Sequence, residues 1–278
     1  MNRLIFAGSR LRSLFFDQLN KPLYHSPFLE PLQFDYHILS NHLECFDKNG
    51  RKLYEIEFRE GPPVGGLAIA ELVNPKAGNN RILDLGTGSG VIALAMASKG
   101  YNAVVASEVG ELDCQLASRN VRRNRKEHAI DVIMSDFACS VRGETFDVLI
   151  SNPPQLPTNL AKADVWNFAG PTGYEAIDKI IAQSKVCLGP MGELWLYVLG
   201  FLGVEKPTGP VPCLFERLRR VGFYPIVKQK LRRKYSQDIN IQAAFPLIQA
   251  LYPMSDIARN FPMSGCYETF VVRASRPR

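Results

Sequence analysis

One ten-residue stretch, which runs from Arg81 to Gly90 and reads RILDLGTGSG, limits the folds open to this chain more than any other. Its first half is apolar and typical of a buried parallel strand, and the following VIALAMASKG is typical of a helix closed by Lys99 and Gly100. The glycines between them permit backbone angles closed to other residues and let a ligand approach the main chain. The stretch therefore predicts a ligand-binding strand, turn and helix of an α/β domain.

The spacing within this turn argues against a phosphate-containing ligand. A dinucleotide site has the spacing G-x-G-x-x-G, whereas Gly86, Gly88 and Gly90 follow G-x-G-x-G. Asp84 precedes them, and a carboxylate repels phosphate and attracts an amine. The stretch resembles the D/E-x-G-x-G-x-G motif of the class I methyltransferases, whose cofactor S-adenosylmethionine carries an ammonium group and no phosphate. The resemblance implies that Asp84, Thr87 and the three glycines bind this cofactor; a glycine-rich turn of another doubly wound domain is the alternative.

Two more acidic residues follow predicted strands. Glu108 ends the second strand about 20 residues after the glycine turn, where related folds bind both ribose hydroxyls. Asp136 and Phe137 come just after a third strand, Ile130–Met134. The resemblance implies that Asp136 binds the adenine amino group and that Phe137 packs on the ring. Without the resemblance, Asp136 would be interpreted as a helix cap.

A second motif, SNPPQ, follows the fourth predicted strand, Phe146–Ile150. Its prolines stiffen a loop at the carboxyl end of the sheet, where ligands of open α/β folds bind. The side-chain oxygen of Asn152 and the carbonyl oxygen of Pro153 can there orient one NH2 group. The loop resembles the N/D-P-P-Y/F motif of methyltransferases that act on planar nitrogens, which implies catalytic roles for Asn152, Pro153, Pro154 and Gln155 and a contact of Asn152 with the cofactor. Gln155 replaces the usual aromatic ring, which leaves the acceptor open.

The remaining segments complete a fold prediction. The stretch 167–181 resembles the segment that follows this loop in release-factor glutamine methyltransferases. We expect a Rossmann-like α/β fold with a seven-stranded class I methyltransferase sheet over residues 61–278. Residues 1–60 are expected to form a small N-terminal subdomain with a helix and a hairpin around the turn DKNG. Residues 231–265 are long for a connection and are predicted to be a lid, or else a helical excursion packed on the sheet.

Composition restricts the setting in which this chain works. The net charge of +6 and the basic runs 119–126 and 228–234 fit a nucleic-acid partner and also fit many proteins without one. The six cysteines lack C-x-x-C pairs, which argues against a metal and a disulfide framework and favours the cytoplasm. No apolar run approaches the roughly 20 residues that span a bilayer, so no membrane partner is expected.

The sequence hence predicts an enzyme that transfers a methyl group from S-adenosylmethionine to a planar nitrogen. The acceptor is expected to be a glutamine amide of a protein or an amine of a nucleic acid. A methyltransferase acting on a small molecule is the first alternative. A binding module that retains the pocket without turnover is the second, and the intact acidic residues and Asn152 argue against it.

Overall fold

The computed structural model describes residues 34–59, 61–74, 80–158, 168–260 and 265–277; the helix expected near residues 7–20 lies outside them. The strands are β1 (Asp35–Leu39), β2 (His42–Phe46), β3 (Lys52–Glu57), β4 (Ile82–Leu85), β5 (Val104–Glu108), β6 (Ile130–Met134), β7 (Phe146–Ser151), β8 (Leu188–Leu199), β9 (Tyr224–Lys234) and β10 (Cys266–Ser275). The helices are α1 (Val64–Leu72), α2 (Val91–Ser98), α3 (Glu111–Arg123), α4 (Glu175–Cys187), α5 (Leu214–Arg220), α6 (Ile239–Leu251) and α7 (Asp256–Asn260).

Seven strands form the main sheet in the order β6-β5-β4-β7-β8-β10-β9. The first five are parallel, and β10 runs antiparallel to both of its neighbours, β8 and β9. The strand β9 therefore points in the same direction as β8, and the carboxyl ends of six strands lie along one edge. The predicted seven-stranded fold is confirmed.

Helices α1 and α2 are almost entirely buried and pack against each other. Lys99, directly after α2, donates hydrogen bonds to the carbonyl oxygens of Ala70 at 2.6 Å, Glu71 at 3.0 Å and Val73 at 2.7 Å. These carbonyls belong to the end of α1, where the helix offers them no partner of its own. Burial lowers the pKa of Lys99 to about 8. This contact sets the position of α1 over the sheet.

The smaller sheet, in the order β1-β2-β3, contains the hairpin predicted around DKNG and one further strand, β1, that the sequence analysis missed. It is joined to α3 by two asparagine side chains that bind main-chain groups of β3. Asn120 binds the N–H and C=O of Glu57 at 2.9 Å each, and Asn124 binds those of Glu55 at 2.9 and 2.6 Å. The small sheet is thus hydrogen-bonded directly to the helix that follows β5 of the large sheet.

The described part of the segment between β9 and β10, residues 235–260, is a helical excursion packed at the carboxyl edge of the sheet; a role as a lid stays a prediction. The apolar stretch IQAAFPLIQALY predicts a helix here, and α6 covers nearly all of it. Tyr252, which follows α6, is fully buried against Phe201 with a ring separation of 5.4 Å. The Tyr252 hydroxyl donates to the Thr172 carbonyl at 2.5 Å. The excursion thereby supports the segment that follows the SNPPQ loop.

The apolar run Leu194–Leu199 predicts a strand, and the observed strand β8 is longer, because it begins at Leu188. Within the described residues, no helix is both long and apolar enough to cross a membrane.

Candidate active site

The two motifs found in the sequence lie side by side at the carboxyl edge of the sheet. Leu85, the last residue of β4, is the register partner of Ser151, the last residue of β7. The Ser151 hydroxyl donates to the Leu85 carbonyl at 2.7 Å and ties the two strand ends together. Because paired strands are about 4.8 Å apart, the glycine turn and the SNPPQ loop begin next to each other.

The glycine turn has the backbone predicted for it. The φ angles of Gly86, Gly88 and Gly90 are 72°, 55° and 85°, values that residues other than glycine rarely adopt. Glu108 is buried and accepts a hydrogen bond from the Gly88 N–H at 2.9 Å through Oε2. Its Oε1 accepts hydrogen bonds from the main-chain N–H groups of Val109 at 2.8 Å and Gly110 at 3.0 Å. The end of β5 and the glycine turn are therefore linked by this carboxylate.

Asp84 lies fully buried beneath the turn. Its Oδ2 accepts hydrogen bonds from the Thr87 hydroxyl at 2.6 Å and the Ala93 N–H at 3.2 Å, whereas Oδ1 has no partner among the described residues. Burial raises the pKa of Asp84 to about 7, against the two hydrogen bonds, and nearby Glu108 adds to the rise. An ammonium group would satisfy Oδ1 and compensate the buried charge. The site therefore fits the cofactor that the motif implies.

Phe137 adjoins the same turn from the loop after β6, and Asp136 precedes it in that loop. Phe137 has a φ of 50°, a strained value that persists in bulky residues only where the surroundings enforce it. A Cβ atom on Gly86 would lie 3.6 Å from the Phe137 ring, so the ring adjoins the turn. Asp136 is about half exposed and pairs with Lys179 of α4, and the Lys179 ammonium lies 5.9 Å from the centre of the Phe137 ring.

Three residues near this loop were missed by the sequence analysis. Lys179 and Gln183 reach it from α4; Gln183 Oε1 accepts a hydrogen bond from the Ala138 N–H at 2.7 Å. Both are more than 40 positions away in the chain, and no local pattern reveals them. Val109 is 57% exposed and directly follows Glu108, and an apolar residue immediately after that acidic residue was the available signal. Val109 and Phe137 offer apolar surface at neighbouring strand ends.

The Asn152 side chain is partly buried, and none of the described residues hydrogen-bonds it. Its Oδ1 faces Gly65 at the start of α1. A Cβ atom on Gly65 would lie 2.7 Å from this oxygen and 2.7 Å from Cδ1 of Tyr197, closer than real Cβ atoms approach such groups. Only glycine lets α1 pack this closely against Asn152. No sequence pattern predicts this contact of Gly65.

Gln155 points into the protein and is 3% exposed. Its Nε2 donates to the carbonyl oxygens of Tyr197 at 2.9 Å and Pro153 at 3.1 Å, and its Oε1 accepts from the Leu199 N–H at 2.8 Å. The motif residues are thus divided: the Asn152 amide is unengaged, whereas the Gln155 amide is bound to main-chain groups of the loop and of β8.

The two basic runs lie at different edges of the sheet. The run 119–126 ends α3, which leaves the carboxyl edge after β5 and returns to the amino edge before β6. The run 228–234 belongs to β9, whose last residues reach the carboxyl edge. Within this second run, Lys230 pairs with Glu268 at 2.5 Å and Arg233 with Asp238 at 3.0 Å. Only the β9 run extends toward the edge that carries Asn152.

One group of side chains in the described part of the chain has the spacing of metal ligands: His42, Glu44 and Glu55 on the small sheet. Lys52 pairs with Glu44 at 2.6 Å and also with Glu55. The lysine already supplies the positive charge that these carboxylates require.

Comparison with known proteins shows similarity to methyltransferases. The model of the methyltransferase small domain matches residues 65–221. A Methanocaldococcus jannaschii protein named as a protein N5-glutamine methyltransferase is 30% identical over 182 residues, which cover 64% of this chain and 86% of that protein. A tRNA1(Val) (adenine(37)-N6)-methyltransferase of Bacteroides thetaiotaomicron is 37% identical over 89 residues, or 31% of this chain and 38% of the relative.

Two further matches cover different shares of the chain. A release factor glutamine methyltransferase of Shewanella oneidensis is 39% identical over 96 residues, or 34% of this chain and 33% of the relative. This chain thus spans less than two fifths of the tRNA and release-factor enzymes. The crystal structure of an S-adenosylmethionine-dependent methyltransferase from Agrobacterium tumefaciens matches with a TM-score of 0.50 and 14% identity, covering 90% of this chain and 72% of the other, and shows a shared fold.

Proposed function

This chain belongs to the methyltransferase small domain family, and we propose that it transfers the methyl group of S-adenosylmethionine to the side-chain amide nitrogen of a glutamine in a protein. One observation carries this proposal. Asn152 directly follows β7, and the glycine turn directly follows the paired strand β4, so the two lie side by side. None of the described residues hydrogen-bonds the Asn152 amide. A hydrogen-bonding side chain and a cofactor turn are thereby available at one place.

The residues around the turn fit the cofactor, which supplies an electrophilic methyl group on a sulfonium. In this proposal, Asp84 compensates the ammonium group of the cofactor through the unpartnered Oδ1. Glu108 accepts hydrogen bonds from the ribose hydroxyls with lone pairs that remain after its main-chain contacts. Asp136 accepts from the adenine amino group, and Phe137 and Val109 contact the ring.

The acceptor chemistry requires orientation more than a strong base. The lone pair of an amide nitrogen is delocalised, so the nitrogen must be aligned with the methyl group before it reacts. Asn152 Oδ1 and the Pro153 carbonyl accept hydrogen bonds from the two N–H groups of the acceptor amide. These hydrogen bonds would become more favourable as positive charge grows on the nitrogen. The nitrogen–methyl bond would form as the methyl–sulfur bond breaks, S-adenosylhomocysteine would leave as a neutral thioether, and the nitrogen would then lose its proton to water.

A glutamine amide suits the loop better than a flat base does. Gln155 is turned inward, so position 155 offers no aromatic face on which a nucleobase could stack. An amide acceptor needs only the two oxygens. The M. jannaschii relative, which this chain covers over 86% of its length, carries the name of a glutamine methyltransferase.

An exocyclic amine of a nucleic acid is the second candidate acceptor. The basic run of β9 favours it, because this run reaches the carboxyl edge of the sheet and nucleic-acid affinity depends on phosphate neutralisation. The tRNA-modifying relative has the corresponding acceptor in its name.

The test is transfer of a radiolabelled methyl group from S-adenosylmethionine to three acceptors in parallel: a bacterial peptide-chain release factor, total tRNA and a metabolite extract. We expect label on the release factor, and digestion of the product should give N5-methylglutamine. Label that appears only on tRNA and weakens with added salt would replace glutamine with a nucleic-acid amine as the acceptor. Label confined to small molecules would contradict both.

A further inference from the structure

We propose that Gln155 is a positioning residue that orients the Pro153 carbonyl toward the acceptor nitrogen; this inference rests on the proposed function. Residue 155 stands where the motif usually has an aromatic side chain. The Gln155 side chain is not placed to contact the acceptor, because it is buried and hydrogen-bonded to three main-chain groups. One of these groups is the carbonyl assigned to the acceptor.

The hydrogen bonds determine the orientation of the Gln155 amide. Its NH2 group donates hydrogen bonds to the carbonyl oxygens of Pro153 and Tyr197, and its oxygen accepts a hydrogen bond from the Leu199 N–H. A flipped amide would direct its oxygen at two carbonyl oxygens and its NH2 group at an N–H donor. All three contacts would then be repulsive, so one orientation is strongly preferred.

This amide connects the loop to the end of a neighbouring strand. Tyr197 and Leu199 belong to β8, which pairs with β7, and their main-chain groups at this point bind a side chain. The loop is also held from the other side, because Gly173 approaches the Gln155 carbonyl so closely that a Cβ atom on Gly173 would lie 2.3 Å from it. The loop is therefore fixed at the residue that determines where the Pro153 carbonyl points.

The consequence for Pro153 follows from the two lone pairs of a carbonyl oxygen. Gln155 Nε2 occupies one at 3.1 Å, which leaves the other for an N–H of the acceptor. Proline fixes its own φ angle, and because Pro154 follows, Pro153 is also limited to extended ψ angles; ψ sets the direction of the carbonyl within that range. The hydrogen bond from Gln155 restricts that remaining freedom. Asn152 needs no such support in the loop, since its side chain contributes the second acceptor oxygen directly.

An aromatic residue at position 155 would therefore not improve this enzyme. It would leave the carbonyl of Tyr197 and the N–H of Leu199 buried without partners, and it would free the Pro153 carbonyl. We expect Gln155→Tyr to lower transfer, although it recreates the sequence of the family motif.

The experiment compares the binding of two cofactor analogues by calorimetry and needs no acceptor. Sinefungin carries an amine where the cofactor carries its methyl group, and that amine can donate to Asn152 and Pro153. S-adenosylhomocysteine carries nothing there. We expect Gln155→Met to reduce the preference for sinefungin over S-adenosylhomocysteine about tenfold, in the range expected for one hydrogen bond to a charged group. The affinity for S-adenosylhomocysteine should be unchanged.

Gln155→Glu tests the same affinity ratio as a function of pH. If Gln155→Met does not fold, this variant alone decides whether Gln155 has the positioning role. Placed between two carbonyl oxygens, the new carboxyl donates a hydrogen bond when protonated and repels them when ionised. The sinefungin preference should be near that of wild type at low pH and fall as the pH rises, while wild type shows no comparable change. The ratio of the two affinities cancels the titration of Asp84, because both analogues carry the same ammonium group.

Tyr252→Phe is the matched control. It removes one partly buried hydrogen bond, to the Thr172 carbonyl, from the segment that follows the SNPPQ loop and does not touch Pro153, so it should leave the ratio of the two affinities unchanged. A wild-type ratio in both Gln155 variants would overturn the positioning role. If wild type binds neither analogue, the proposed function fails instead. If wild type binds both equally, the oxygens of Asn152 and Pro153 do not face the methyl position, and the positioning role of Gln155 fails while cofactor binding stands.

Discussion

The glycine turn after β4 and the SNPPQ loop after β7 follow neighbouring strands, but different features determine their shapes. The turn takes its shape from its own backbone, through three glycines with positive φ, and Asp84 lies beneath it with one oxygen unpartnered among the described residues. The loop takes its shape from its prolines and from Gln155. The Gln155 amide donates two hydrogen bonds to main-chain carbonyl groups and accepts one from a main-chain N–H. The unengaged amide, on Asn152, lies at the surface of the loop.

This difference separates the two tasks of the site. The buried, unpartnered charge beneath the turn suits a ligand that brings its own cation, and it contributes chiefly to cofactor affinity. The unengaged amide of the loop suits a neutral NH2 group, and it contributes chiefly to transfer. Substitutions in the two loops should accordingly change different measured quantities.

The largest expected effect is that of Asn152→Ala. It should lower kcat/KM for the methyl acceptor at least about 100-fold, the cost of losing one group that stabilises developing charge. The affinity for S-adenosylmethionine should stay within about threefold of wild type, since the residue acts on the acceptor. Transfer assays and calorimetry on the same preparation check both. An equal loss of cofactor affinity would contradict the separation of tasks.

The pH dependence of cofactor binding should follow Asp84. Its pKa is about 7 in the free protein, and the cofactor ammonium favours the ionised form, so binding below pH 7 requires release of a proton. Affinity should fall about tenfold between pH 8 and pH 6. The same raised pKa makes the free protein less stable as pH rises through about 7, because the folded state holds this proton more tightly than the unfolded chain.

Asp84→Asn is the control for that measurement. It retains the titration of the cofactor's own amine and removes that of the carboxyl, so calorimetry should give lower affinity and a flatter pH profile. A profile as steep as that of wild type would assign the dependence to another group.

Gly65→Ala should lower kcat/KM about tenfold, because the new Cβ atom would press on Asn152 Oδ1 and on Tyr197 and displace the acceptor side chain. Gly66→Ala is the matched control. Its Cβ atom would meet Cγ1 of Val91 at 2.6 Å, away from Asn152. Both variants should lose stability in thermal unfolding, but only Gly65→Ala should lose transfer beyond that loss. Similar transfer rates in the two variants would argue against a contact between Gly65 and the reacting site.

The smallest effect should come from Lys179→Met. The ion pair with Asp136 is about half exposed on both sides, and such pairs contribute little. Cofactor affinity should fall about threefold, since Asp136 and the Phe137 ring lose a neighbour, and kcat should not change. Lys185→Met, on the same helix with an exposed side chain, should have no effect on calorimetric affinity. A change in kcat would mean that the two loops are coupled through α4.

Several features were predictable because they depend on residues adjacent in the chain. The glycine spacing predicted the turn, and the acidic residues at positions 84, 108 and 136 lie at or just after strand ends, as expected. The asparagine–glycine pair predicted the hairpin. Strand β1 was missed, and so was the early start of β8, since Gly189, Pro190 and Gly192 are weak strand formers that tertiary pairing overrides.

The sequence by itself determined which elements form and which chemical groups lie at the carboxyl edge, because both follow from local periodicity and from the backbone requirements of glycine and proline. Only the tertiary structure decided where those groups point. The inward turn of Gln155, the approach of Gly65 to Asn152 and the pairing of Lys179 with Asp136 each join segments more than 40 residues apart. The direction of such a side chain depends on which distant main-chain groups need a partner once the strands and helices have packed.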